Sequence, residues 1–357
     1  EIRLSLVGSE MCIRDRAYGG ISNCNRVIYQ LDNLDFEVTG KESVIAELEV
    51  ARAYWYYILC EAFGNVPIVD RFDVPEGFLP ETSSREEVFA FIENSIKNNV
   101  DKLSDDTKTY YGRFNKWNAK MLLARLYLNA ESWIGKNMYT ECMALCTEIM
   151  NSNKYALEND YSAPFYAQNE GSQEIIFAYP ADEVKTGSTI YMALQKTLHP
   201  SNVKTFNLQT WLDNGVCAVP TFIDTYEEGD KRLPKTWRMG QQYGSDGSIL
   251  YCTGLVPGWE GKPLIYTKEV SNLENGGEAE GYRCGKYEIK MGTSRALDND
   301  WVAMRYAEVY LMKAECILRT NGNAEEAAQL VNEVRKRAFD GDNKLSGADL
   351  LKTTNVN

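Results

Sequence analysis

Apolar side chains recur at spacings of three and four through most of the first 150 residues and again from 301 to 338. That rhythm puts them on one face of a 3.6-residue helix. From Ala17, residues Ile21, Cys24, Ile28 and Leu31 share such a face, although Gly19 and Gly20 weaken the start of that helix. Ala46, Ala51, Ala53, Tyr54, Tyr57, Ile58 and Ala62 predict a longer helix over 42–63, ended by Gly64-Asn65 and kept from resuming by Pro67. Ser83 and Ser84 each stand three residues before a glutamate, Glu86 and Glu87, a capping-box pattern for a helix reaching about Val100. Two further helices are predicted over 117–130 and 139–150. Val302, Tyr306, Val309, Tyr310, Lys313 and Ile317 form a stripe over 301–320. Asn321-Gly322-Asn323 then makes a turn, and the small residues Ala324, Ala327, Ala328, Val331, Val334 and Ala338 predict a second helix that packs closely on the first.

Residues 151–300 read differently. Glu174–Tyr179 is a short strand, 219–226 a short helix begun at Pro220, and the remainder is rich in Gly, Asn, Ser, Thr and aromatic residues. Long loops inside a compact chain usually carry function. The fold expected is therefore mainly α: irregular tetratricopeptide-like helical hairpins form a scaffold bearing long Gly/aromatic-rich loops and few short strands. No rigid repeat of about 34 residues is visible. Residues 1–16 show no clean periodicity and read as a lead-in foreign to the rest of the chain. The single domain expected over 17–357 divides into helical pairs (17–150), a loop-rich ligand region (151–300), a helical hairpin (301–340) and a tail (341–357).

Composition narrows the function. A formal charge of -13 and a pI near 4.8 oppose the clustered Lys and Arg that nucleic-acid binding needs. No apolar run approaches the roughly 20 residues that span a bilayer. Nine cysteines, without any CxxC pair, define no redox compartment, and Cys142 and Cys146 at helical spacing read as core packing rather than metal ligands. Catalytic motifs such as GxSxG, HExxH and the phosphate-binding loops are absent from the sequence. The sole histidine, His199, reads as an ordinary surface or turn residue. No catalytic residue, metal site or cofactor is expected. Carboxylates are abundant, but abundance does not make a glycosidase pair.

The better binding residues are the loop aromatics. A sugar ring presents an apolar C–H face and a rim of hydroxyls, which suits an aromatic platform beside polar side chains. Trp211, Trp237, Arg238, Tyr243, Asp246, Tyr251 and Trp259 are the expected ligand-binding set, with Trp237 and Trp259 expected to be the most exposed. The plainer alternative is that such aromatics pin loops to the helical body.

Four stretches in one order resemble the RagB/SusD family of outer-membrane glycan-capture lipoproteins: Tyr18-Gly-Gly-Ile-Ser-Asn-Cys-Asn-Arg-Val-Ile; Ala51-Arg-Ala-Tyr-Trp-Tyr-Tyr-Ile-Leu with Phe63-Gly-Asn-Val-Pro; Gly112-Arg-Phe-Asn-Lys-Trp-Asn-Ala-Lys-Met-Leu-Leu-Ala-Arg-Leu-Tyr-Leu; and the hairpin from Arg305-Tyr-Ala-Glu-Val-Tyr-Leu-Met-Lys-Ala-Glu to Val331-Asn-Glu-Val-Arg-Lys-Arg-Ala. The resemblance implies a helical scaffold, non-catalytic binding of an oligosaccharide or similar nutrient, surface exposure at the outer membrane, and delivery to a SusC-like TonB-dependent transporter. It also implies a lipoprotein signal, an anchoring Cys and a further C-terminal helix. None of these is in the sequence, so the chain is expected to be truncated at both ends. Two other classes stand beside this reading: a helical scaffold for protein–protein interaction without glycan binding, and a carbohydrate-active hydrolase. The hairpin charges Arg305, Glu308, Glu315, Arg335 and Arg337 read as a solvated or helix-end set.

Overall fold

The computed structural model describes residues 2–185, 196–272, 274–294, 297–341 and 343–353, with side chains described from residue 13. The chain forms two compact units, 1–155 with 304–331 and 345–357, and 156–303 with 332–344.

In the first unit, α1 (Ile2–Asp32) is followed by α2 (Lys41–Phe63), the two-residue strands β1 (Val66–Pro67) and β2 (Thr82–Ser83), α3 (Arg85–Asn99), α4 (Lys116–Leu128), α5 (Ala130–Ile134) and α6 (Tyr139–Asn151). The helical backbone of α1 begins at Ile2, ahead of the Ala17 start read from side-chain periodicity. The Gly19-Gly20 pair does not break it. A Cβ at Gly20 would lie 2.4 Å from the Trp55 indole, so the missing side chain lets α1 close on α2. Arg52 reinforces that pairing, donating to Asn25 Oδ1 at 2.8 Å and the Asp70 carbonyl at 2.7 Å. Tyr54, Tyr56 and Tyr57 are buried, as expected of helix-packing aromatics.

Local capping chemistry matches the sequence. Ser84 Oγ accepts from the Glu87 N–H, and the Glu87 carboxylate accepts from the Ser84 N–H. Ser84→Ala is expected to cost about 1 kcal/mol in urea unfolding, and an unchanged midpoint would show that the box adds nothing to α3.

The same unit holds α10 (Tyr306–Thr320), most of α11 (Ala324–Arg335) and α12 (Gly347–Thr353). Asn323 caps α11 by accepting from the Glu326 N–H. Ala314, Ile317, Ala327, Ala328 and Leu350 form one buried cluster, so α12 covers the hairpin. The stripe begins later than expected. Residues Trp301–Arg305 are the strand β8, and the helix starts at Tyr306. The spacing of Val302 fits a helix, but Trp301 stacks on Tyr287 at 5.0 Å and 10°, and the Val302 N–H donates to the Tyr287 hydroxyl, fixing this stretch in extended form. Glu308 is not simply solvated either: Arg125 of α4 grips it through two nitrogens at 2.5 and 2.6 Å. Cys142, Cys146 and Cys316 are fully buried, the packing role expected for the first two. Among the described residues, no helix is long and apolar enough to cross a membrane.

The second unit carries β3 (Ile175–Tyr179), α7 (Val203–Phe206), α8 (Pro220–Ile223), α9 (Arg232–Thr236), β4 (Trp237–Arg238), β5 (Gly240–Gln241), β6 (Ile265–Tyr266) and β7 (Arg283–Cys284). Two small cores hold its loops, one around Leu198, Phe206, Leu212 and Ile289, the other around Leu250, Leu264, Tyr266 and Ala279. Arg335 and Arg337, read from sequence as solvated or helix-end charges, have side chains largely covered here, Arg335 at the end of α11. Arg337 forks onto the fully buried Glu174 carboxylate, and Arg335 onto Glu227 at 2.7 and 2.9 Å. Both partners lie more than 100 residues away in sequence, out of reach of helix-face reasoning.

Candidate functional site

The loop-rich region builds its site from short antiparallel pairings. β4 pairs with β7, Trp237 opposite Cys284 and Arg238 opposite Arg283, and β5 pairs with β6. Residues 242–252 fold back as a hairpin whose turn is set by Asp246: its carboxylate accepts from the Ser248 N–H at 2.9 Å and hydroxyl at 2.6 Å. Thr205 of α7 ties that hairpin down by donating to the Tyr243 carbonyl at 2.8 Å. Alternation along the hairpin sends Leu250, Cys252, Leu264 and Tyr266 inward and leaves Tyr243, Ile249, Tyr251 and Ile265 exposed.

These pairings enclose a pocket of about 600 Å³ lined by Trp237, Arg238, Gln241, Gln242, Tyr243 and Thr205, with Lys235 and Gly285 among its other walls. Three of the seven expected binding residues meet here: Trp237, Arg238 and Tyr243. Tyr251 lies on the exposed face of the same hairpin but not in the pocket lining, and Asp246 serves the turn. Trp211 is 55% exposed and is not part of the lining either. Trp259 is not an exposed platform. It is half-buried against the Leu250–Leu264 core, where a Cβ at Gly277 would lie 2.1 Å from its ring, and Lys262 covers it at 4.7 Å. Its polar and glycine neighbours suggested exposure, but Gly277, distant in sequence, makes the space that takes it in. Trp237 too is half-buried, its indole N–H donating to the Tyr226 hydroxyl at 3.2 Å and its ring edge-on to Phe222. Thr205, Lys235 and Gly285 were not singled out in the sequence, and no local pattern marks them.

The polar groups of the pocket differ in how far they are already engaged. The Gln242 amide donates to the Met239 and Gly240 carbonyls and the Gln241 amide to the Gln242 carbonyl, which fixes both side chains before any ligand arrives. Lys235 is paired with Asp160. Burial alone would raise the Asp160 carboxyl, but Lys235 and the Tyr166 hydroxyl outweigh it and hold it at about 2. Arg238 lies over the Phe206 ring at 4.5 Å, and burial lowers its guanidinium below the usual value.

A second cluster brings together His199, Cys252 and Glu278, all buried and near enough to share a metal ion. Its hydrogen bonds argue for a structural staple. His199 Nδ1 accepts from the Ser201 N–H at 3.0 Å, so Nε2 carries the proton and donates to Glu278 at 2.6 Å. The same carboxylate accepts from the backbone N–H groups of Thr253, Gly254 and Val256, leaving little lone-pair capacity for a cation. Burial also pushes the Cys252 thiol up to about 11, away from the thiolate a metal would bind. His199, expected at the surface or in a turn, does open a turn but is fully buried by this network.

With this geometry in hand, residues 137–355 match the SusD family, and residues 13–128 match a family described as "Starch-binding associating with outer membrane". The starch-binding protein SusD of Bacteroides thetaiotaomicron is 27% identical over 330 residues, which take in 82% of this chain and 57% of that protein. The chain thus spans little more than half the length of this relative. A SusD superfamily protein of Parabacteroides distasonis superposes with a TM-score of 0.73 at 21% identity, covering 96% of this chain and 70% of the other. Surface glycan-binding protein A of B. thetaiotaomicron, solved in complex with laminarihexaose, superposes with a TM-score of 0.69 at 20% identity, covering 94% and 70%.

Proposed function

The chain belongs to the SusD family, and from that premise we propose that it binds an oligosaccharide without chemically altering it, at the outer-membrane surface, and delivers it to a SusC-like TonB-dependent transporter. The observation that carries the binding is the pocket in which Trp237 and Tyr243 stand beside Gln241, Gln242, Thr205 and Arg238. Aromatic rings suit the C–H faces of a sugar, and fixed amides and hydroxyls suit its hydroxyl rim. The starch-binding relative and the laminarihexaose complex support the ligand class by likeness. The transporter partnership and surface exposure rest on the family resemblance.

A hydrolase reading is disfavoured by the same lining. Glycoside hydrolysis needs two carboxyl groups across the scissile bond, and among the described lining residues there is no Asp or Glu. The interaction-scaffold reading is separated from ours by a titration. Tyr243, 50% exposed, can be removed without opening the core, so Tyr243→Ala is expected to weaken oligosaccharide binding about tenfold at unchanged Tm, and Trp237→Ala by more. Calorimetry against a neutral and acidic saccharide panel checks this. Undiminished affinity in both variants would move the site elsewhere. Capture of a transporter by a chain that binds no saccharide would favour the scaffold.

A further inference from the structure

Arg238 is set apart from the other described arginines of its unit. Arg283 donates to Asn214 and to backbone carbonyls, Arg335 grips Glu227, and Arg337 grips Glu174. The Arg238 guanidinium has no hydrogen-bond or ion-pair partner among the described residues, and its Nε is buried without one. It lies over the face of Phe206 at 4.5 Å. Gly285 contributes to this placement, since a Cβ there would sit 3.1 Å from Arg238 Cγ.

The surroundings make this solitude more unusual. Arg238 lines the pocket beside Lys235, which is paired with Asp160, and among the described lining residues there is no carboxylate, in a chain whose formal charge is -13. Arg238 is half-buried, and a cation partly withdrawn from water without a counter-ion is costly, so proteins ordinarily pair it. Where that rule is broken inside a cavity, a ligand is the natural missing partner. Arginine's planar fork matches a carboxylate or sulfate through two parallel N–H···O bonds, strong because they are charge-assisted and formed away from water.

We propose that the pocket selects acidic saccharides, with Arg238 receiving a carboxylate or sulfate on the sugar while Trp237 and Tyr243 carry its ring. This deepens the binding function proposed above and rests on it. The simpler account of Arg238 is packing, a cation lying on Phe206. The two accounts differ in what removing the charge does. Packing predicts a less stable protein with unchanged ligand preference. An anion receptor predicts a protein at least as stable, because a half-buried charge without a counter-ion is gone, with its preference for acidic ligands erased.

The test titrates the full chain with a galacturonic-acid hexasaccharide, its methyl ester, a sulfated hexasaccharide with its desulfated counterpart, and neutral laminarihexaose. Carboxylate and sulfate are separated by which acidic member binds. The expected result is that an acidic member binds about tenfold to a hundredfold more tightly than its neutralised form. Arg238→Gln should remove that difference without lowering Tm, and Arg238→Lys should keep part of it. Equal affinity for charged and neutralised forms, or an Arg238→Gln variant that retains the acidic preference, overturns the anion assignment and leaves saccharide binding standing. A wild-type chain that binds no member of the panel, charged or neutral, overturns both.

Discussion

Glu278→Ala is expected to lower the unfolding free energy by about 3–5 kcal/mol, because the change strands several donors and the buried His199 at once. The carboxylate is fully buried and receives the backbone N–H groups of Thr253, Gly254 and Val256 together with the His199 imidazole. An alanine leaves each of them without the acceptor it now has. Urea denaturation measures the loss; a cost below about 1 kcal/mol would mean that the 253–256 loop turns its donors to water instead.

The same pair sets an acid limit on stability. Burial lowers the His199 pKa despite the nearby carboxylate, so its neutral form is the native one. Stability held by neutral His199 is complete above its unfolded value near 6.5 and declines as pH falls below it. Burial would raise the Glu278 carboxyl, but the His199, Thr253 and Val256 donors overcome that and lower it below 4.5, so its contribution is present above 4.5 and disappears on further acidification. Both groups therefore work in one direction. Tm should be flat above about pH 7 and decline in two stages below it, the first centred beneath 6.5, and His199→Gln should remove the first stage.

The second large effect is expected at Glu174 and Arg337. Glu174 is fully buried, accepts both arms of the Arg337 fork, and also receives the Glu158 N–H. Arg337→Ala takes away both guanidinium donors and should cost about 3–5 kcal/mol. Replacing both partners by methionine should cost less than either single change, since no charge is then left inside. A double variant as unstable as the sum of the singles would show that the two residues act independently.

What could be read in the sequence was what is decided within a few residues. Ser84 with Glu87, Asn323 with Glu326, and the buried stripe Tyr306, Val309 and Ile317 all follow from spacings along one helix. Trp237, Arg238 and Tyr243 were singled out by residue type, as a sugar site would need, and they line one pocket. Their assembly was not, since Thr205 and Gly285 reach the same pocket from distant stretches that carry no periodic signal. The misreadings share a cause. His199 and Glu278 are 79 residues apart, and Gly277 takes in Trp259 from beyond any local window. Val302 fits a helical stripe, but β8 pairs with β3, and Trp301 and Val302 both contact Tyr287, so the stretch is extended.

The order in which the chain emerges during synthesis bears on the loop unit. It occupies 156–303, yet it is fastened by residues 332–344, through Arg335 to Glu227, Arg337 to Glu174, and Lys231 to Asp340. Those links cannot form until the α10–α11 hairpin has been translated. The nascent loop region must therefore wait, unclosed, while more than thirty later residues are made, whereas the helical pairs before residue 155 can associate as they leave the ribosome. A ribosome stalled just short of Arg335 should present a loop region open to protease beside an already protected α2–α3 pair.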